Sequence, residues 1–323
     1  STTVTLSGYD PSMGFREGSD ANSLDGGDNN EITISLNAGQ SFVFESVTNG
    51  APDGTEVDGW LGSLIVSDKD IAVSVGSFRY GSDPVQGDGQ DIAMDQIIPE
   101  NVLGKQYIFV RGNGGDVHEY GIIIATQNNT DIFVAGDSTN APSIDAGEYY
   151  IVPASNYSGS SAGANMLVQT SKETYAFQAT AGANADPNVD YNFIAPVNFL
   201  LDREVNYIPD IDKLPSKSIT GGISIISAAS TASSVILTED GSSVTLPTAS
   251  PVTGTSDWVT FYVSGLSGDV KVISDGSIAV GFNGASGFVG ASGYFSGFET
   301  IPSIDVDVTI VGECLQDGNV TLS

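Results

Sequence analysis

A short polar turn followed by an alternating apolar strand occurs three times along this chain, starting at residues 67, 170 and 274. The copies read Ser67-Asp68-Lys69-Asp70-Ile71-Ala72-Val73-Ser74-Val75, Thr170-Ser171-Lys172-Glu173-Thr174-Tyr175-Ala176-Phe177-Gln178 and Ser274-Asp275-Gly276-Ser277-Ile278-Ala279-Val280-Gly281-Phe282. A period of about one hundred residues predicts one β-module used three times. In the first copy Ile71, Val73 and Val75 share a face, with small or polar residues opposite, the pattern of a strand that buries one side. Two such faces packed together form a sandwich core.

Other segments repeat in step. A small-residue turn enters an aromatic strand at Asn37-Ala38-Gly39-Gln40-Ser41-Phe42, again at Asp145-Ala146-Gly147-Glu148-Tyr149-Tyr150, and more loosely from Gly254 to Trp258-Val259-Thr260-Phe261. A proline-marked return follows each copy, at Pro99, Pro196 and Pro302, and the first two lead into Gln106-Tyr107-Ile108-Phe109-Val110 and Asn206-Tyr207-Ile208. These strands read as bridges that hand the chain from one module to the next. The expected architecture is all-β: three tandem β-sandwich or jelly-roll-like repeats of about 100 residues packed as one block. The expected boundaries are 1–112 for an atypical first module, 113–212 and 213–305 for the next two, and 306–323 for a linker or the start of another domain. Trp258 opens an alternating strand and is expected in the core.

Charge narrows the function. Only 15% of the residues are charged, yet 40 are acidic against 10 basic, for a net charge of −30. Nucleic acid is excluded as a partner, because neutralising phosphates takes clustered Lys and Arg. An anionic membrane surface is disfavoured for the same reason, and no apolar run is long enough to span a bilayer. Screening salt or divalent cations would suit such a surface. The one cysteine, Cys314, has no partner within the chain. It reads first as half of a bridge to sequence beyond Ser323, then as a free thiol, and last as a catalytic nucleophile.

The run Asp88-Gly89-Gln90-Asp91-Ile92-Ala93-Met94-Asp95-Gln96-Ile97-Ile98-Pro99, followed by Gly104-Lys105-Gln106-Tyr107, resembles the IgGFc-binding-type domain family. Ala146-Gly147-Glu148-Tyr149, the hairpin from Gly121 to Asp131, and Asp186-Pro187 leading to Ile194-Ala195-Pro196-Val197 extend the resemblance. It covers roughly residues 30 to 305 and is weakest in the third module. The family's namesake is an Fc-binding protein of mucus, and many relatives are domains of large secreted bacterial surface proteins, often from gliding or adhesive organisms. The resemblance implies an extracellular, non-catalytic adhesion module. Its partners would be a glycan or surface protein and the other domains of the same large chain. It does not extend to Fc binding by this chain, because no ligand residue carries over.

Carboxylates are the only site chemistry present in quantity. Asp20, Asp25, Asp28 and Glu31 alternate with Gly and Asn, so the loop either wraps a calcium ion, which needs six to eight oxygen ligands, or is a solvated acidic loop. Asp53, Glu56 and Asp58, then Asp83, Asp88, Asp91 and Asp95, and Asp186 with Asp190, read as solubilising turns. Trp60, Tyr80 and Tyr157 fall in loop-like stretches and are the candidate ligand contacts, since aromatic residues dominate binding hot spots. His118, the one histidine, reads as a surface or capping residue. Gly284 to Gly290 reads as a tight loop or hinge. One His and one Cys exclude a zinc site. A polysaccharide hydrolase using a carboxylate pair and a purely structural filament spacer are the alternatives.

Overall fold

A computed structural model describes residues 1–10, 15–17, 31–46, 59–80, 91–116, 118–139, 141–181, 189–198, 201–214, 217–286, 289–294 and 296. Over these the chain is nearly all β, as its alternation predicts. The described helical elements are 3-10 turns at Glu100–Val102, Ala154–Asn156 and Ala229–Ser234.

The N-terminal region comprises β1 (Thr2–Ser7), β2 (Phe15–Glu17), β3 (Glu31–Leu36), β4 (Phe44–Ser46), β5 (Leu64–Ser67), β6 (Val73–Tyr80) and β7 (Asp91–Ile97). They form a three-stranded sheet β3-β1-β5 and two pairs, β2-β4 and β6-β7. The central region comprises β8 (Gly104–Val110), β9 (Tyr120–Ala125), β10 (Thr130–Val134), β11 (Ser143–Ile144), β12 (Tyr149–Val152), β13 (Asn165–Ala181) and β14 (Val189–Phe193), all in one sheet. The C-terminal region opens with β15 (Glu204–Ile208), β16 (Lys213–Leu214), β17 (Lys217–Ser218), β18 (Thr220–Ala228), β19 (Ile236–Glu239) and β20 (Ser242–Val244). It continues with β21 (Ser250–Pro251), β22 (Trp258–Leu266), β23 (Val270–Ile273), β24 (Ile278–Ser286) and β25 (Val289–Tyr294). Here the strands separate into β15-β23-β19-β20, the pair β16-β17, and β21-β22-β18-β24-β25.

Partners recur between regions. β9 pairs β12 and the second half of β13, as β18 pairs β22 and β24. β10 pairs the first half of β13, as β19 pairs β23. β8 and β15, the strands that arrive from the preceding region, pair those same first-half segments. The hairpin partner of β13 is β14, and that of β24 is β25. In the N-terminal region β1 takes the place of β10, between β3 and β5, and β6 pairs β7.

In the central region β13 runs unbroken for 17 residues, through Thr170-Ser171-Lys172-Glu173. The sequence predicts a turn there. Side chains and a neighbouring hairpin hold the segment extended instead. Thr170 Oγ1 donates to the Lys172 carbonyl at 2.7 Å, the Ser171 hydroxyl accepts from Asp131 N at 2.8 Å, and Thr126 Oγ1 donates to the Glu173 carbonyl at 3.0 Å. The register shifts between Gln169 and Thr174, so the two halves of β13 serve different partners. Between them lies a core of Tyr107, Phe109, Ile123, Ile132, Met166 and Val168. The corresponding C-terminal core packs Ile208, Ile223, Ile225, Leu237, Phe261 and Val272 between two sheets.

Strands of the central and C-terminal regions are buried on both faces where regions meet. Ile123 of β9 faces the core, whereas Ile122 and Ile124 pack against Phe177 and Phe193 in a second cluster, which Ile97, Ile98 and Leu103 complete. On the other side Ile108, Val110 and Leu167 pack against Ile226, Ala279 and Trp258. Trp258 is buried, as its strand position predicts. Ile71, expected on a buried face with Val73 and Val75, instead precedes β6 and is exposed; Val73 and Val75 are half-buried. Among the described residues, no helix is long and apolar enough to cross a membrane.

Candidate functional site

Among the described residues, the calcium and ligand-contact candidates do not converge. Asp20, Asp25 and Asp28 lie outside the described residues, as do Asp53, Glu56, Asp58, Asp83, Asp88, Asp186 and Cys314. Glu31 opens β3 opposite Ser7 and is exposed. No three His, Cys, Asp or Glu side chains cluster as a metal site among the described residues. Tyr80 closes β6 opposite Asp91, and its side chain lies outside the described set.

Two aromatic candidates serve packing. Trp60 is half-buried, with ring centroids 5.7 Å from Tyr9 and 6.4 Å from Phe44, over Leu6. Tyr157 is buried in the central core, with the Arg111 guanidinium 5.9 Å from its ring centroid, so it is not a surface contact. Burial also overturns the surface reading of His118. The glycine-rich stretch from Gly284 ends β24 and re-enters β25, so its described residues form two strands of a hairpin.

The strongest internal chemistry is one the sequence did not announce. Glu119 is fully buried, and its carboxylate accepts from three backbone amides: Gly112 at 3.0 Å, Gly114 at 2.8 Å and Ala181 at 3.3 Å. Burial pushes its pKa up, against the pull of these donors and of Arg111. The glycines make the loop possible: a Cβ at either 112 or 114 would lie 2.9 Å from Glu119 Oε1. Arg111 pairs Asp116 at 2.7 Å and donates to the Gly114 carbonyl at 3.0 Å. The signal in the sequence was Gly112-Asn113-Gly114-Gly115 just ahead of an acid. All of this satisfies buried backbone groups and leaves no carboxylate oxygen aimed at solvent.

A second carboxylate, half-buried, lies where β14 meets β25. Asp190 accepts from Tyr191 N at 2.9 Å and from the amide and hydroxyl of Ser292 at 3.2 and 3.4 Å. Burial raises its pKa from 3.8 to about 6, with nearby Asp95 adding to the rise. Asp95 in turn accepts from Phe193 N at 2.5 Å, which ties β7 to β14. The two aspartates are seams between regions, and read as turn residues in the sequence they gave no sign of it.

The surface differs. Gly62 and Gly147 meet backbone to backbone: with φ of +77° and +85°, both adopt a conformation that favours glycine, and a Cβ on Gly62 would lie 2.3 Å from the Gly147 Cα. This approach sets Leu61 beside Tyr149 and forms a shallow cleft of about 420 Å³ lined by Leu61, Gly147, Glu148 and Tyr149. Tyr149 and Ile151 share one face of β12 and are 40% and 46% exposed. β12 lies at the end of its sheet's strand order. Glu148 is engaged in its own turn, accepting from Asp145 N at 2.8 Å. An aromatic ring, an aliphatic pair and a strand edge offer contact area and hydrogen bonds; the cleft brings no acid and base together on a reacting bond.

Neither the curated proteins nor the solved structures offer a match to the chain. The family described as IgGFc binding protein matches residues 1–284, from β1 into β24. On that coverage the chain belongs to the IgGFc-binding protein family, a family of extracellular, non-enzymatic binding domains.

Proposed function

We propose that the chain is an adhesion module of a large cell-surface protein and takes a protein or glycan ligand at the cleft between Leu61 and Tyr149. One observation carries this reading: Tyr149 and Ile151 stand exposed beside a cleft at a sheet edge, where two regions are fixed backbone to backbone. Exposed aromatic and aliphatic side chains on a rigid support are what binding hot spots are made of. The acidic surface favours partners that are neutral, basic or bridged by cations. The division into modules 1–112, 113–212 and 213–305 belongs to this reading, and the recurring partner order supports it.

The test is a protein and glycan array probed with the wild type and with a Tyr149→Ser, Ile151→Ser double variant. Binding should weaken by about tenfold or more in the variant, with the melting temperature retained because both side chains are exposed. Undiminished binding in a folded variant would move the ligand elsewhere. Hydrolysis of a bound glycan would end the non-catalytic reading.

A further inference from the structure

The partner order breaks in one place, at the outer edge of β5. The first half of β13 is flanked by β10 on one side and β8 on the other, and β23 lies between β19 and β15. β5 pairs β1 in the corresponding way, but among the described residues nothing pairs its other edge. Its side chains register the vacancy. Leu64, Ile65 and Val66 are 46%, 36% and 53% exposed, whereas Met166, Leu167 and Val168 of β13 and Val270 and Val272 of β23 are buried. An unpaired apolar edge is a template for another strand.

The strands that fill the two occupied edges share an origin. β8 leaves the preceding region after Pro99, and β15 after Pro196. A third such segment follows Pro302: Ile304-Asp305-Val306-Asp307-Val308-Thr309-Ile310 alternates apolar and polar residues as a half-buried strand does. It lies outside the described residues. β14 touches both β7 and β25, so the N-terminal and C-terminal regions both pack on the central one. The open acceptor edge belongs to the N-terminal region, and the third exit segment follows the C-terminal one in sequence. We propose that residues 304–310 of one copy pair antiparallel with β5 of a second copy, joining copies head to tail. The contact repeats the relation of β8 to β13 and of β15 to β23. Being heterologous, it builds rings or filaments rather than an isologous pair. The net charge of −30 opposes it, so screening salt promotes it.

Sedimentation of the full chain tests this, from low micromolar to about 200 µM at low and high salt. Wild-type mass should climb above the 33.3 kDa of one chain with concentration and with salt. Val308→Pro should stay monomeric, since proline removes a ladder donor. A synthetic peptide of residues 302–312 should disperse the wild-type assemblies. Hydrogen exchange at the β5 amides that face away from β1 should slow on association and only then. A wild type that stays monomeric throughout overturns the proposal, as does a Val308→Pro variant that still associates. So do β5 amides that are protected in the monomer and released by Val308→Pro, which would place the segment in its own chain.

Discussion

The central and C-terminal regions solve the same pairing problem with different strands. In the central region one 17-residue strand, β13, serves β8 and β10 with its first half and β9 and β14 with its second. In the C-terminal region those duties fall to β23 and β24, separated by Ser274-Asp275-Gly276-Ser277. What is kept is who pairs with whom and which faces are apolar, while the continuity of the strand is free. A core built from cross-strand pairs tolerates a break between them, provided that each fragment still buries its own face.

The largest expected effect bears on what the two regions share. Trp258 packs against Ile108, Val110 and Leu167 across the boundary. Trp258→Ala should cost about 4 kcal/mol by urea denaturation and split the unfolding transition of the two regions. A loss below about 1 kcal/mol would show that they do not stabilise each other.

Next comes the pair of acids in the corresponding entry loops. Glu119 is buried and holds three amides, whereas Asp212 accepts from Gly268 N at 2.9 Å and is only half-buried. Glu119→Ala should cost about 3 kcal/mol by stranding those donors, and Asp212→Ala less than about 1 kcal/mol. Equal costs would erase the distinction between the loops.

The seam at Asp190 makes a pH prediction. Its folded pKa of about 6 lies above the 3.8 of the free group, so folding favours the protonated form. This contribution is full below pH 3.8 and is lost as pH rises through about 6. Asp190→Asn should therefore be more stable than the wild type at pH 8, by up to about 3 kcal/mol, and lose that advantage at pH 4. Parallel stability curves for the two proteins would remove the seam as a titrating element.

The smallest effect concerns the N-terminal region. Calcium at Asp20, Asp25, Asp28 and Glu31 would stabilise the fold by mass action, so a chelator should lower the melting temperature by a few degrees. An unchanged melting curve would leave a solvated acidic loop.

The all-β class was legible because alternation and turns are local signals, and the three-copy segment pointed to the strands β6, β13 and β24. Two features were not. Thr170-Ser171-Lys172-Glu173 has turn composition, yet hydrogen bonds from Asp131 and Thr126, distant in sequence, hold it extended. Tyr157 and His118 look like loop residues, yet both are buried, Tyr157 in the central core beside the Arg111 guanidinium. The cleft at Tyr149 was half visible: the Ala146-Gly147-Glu148-Tyr149 turn could be read, but its neighbour Leu61 comes from another region through the contact of Gly62.

That glycine contact has a mechanical corollary. Where Gly62 abuts Gly147, no rotamer stands between the two main chains, so no side-chain flip can change the angle at which the first two regions meet. Gly254 repeats the device farther on, where a Cβ would lie 2.4 Å from the Ala135 carbonyl carbon. Joints of this kind work as brackets rather than hinges. They hold whatever is carried at one end of the protein at a constant attitude to the other.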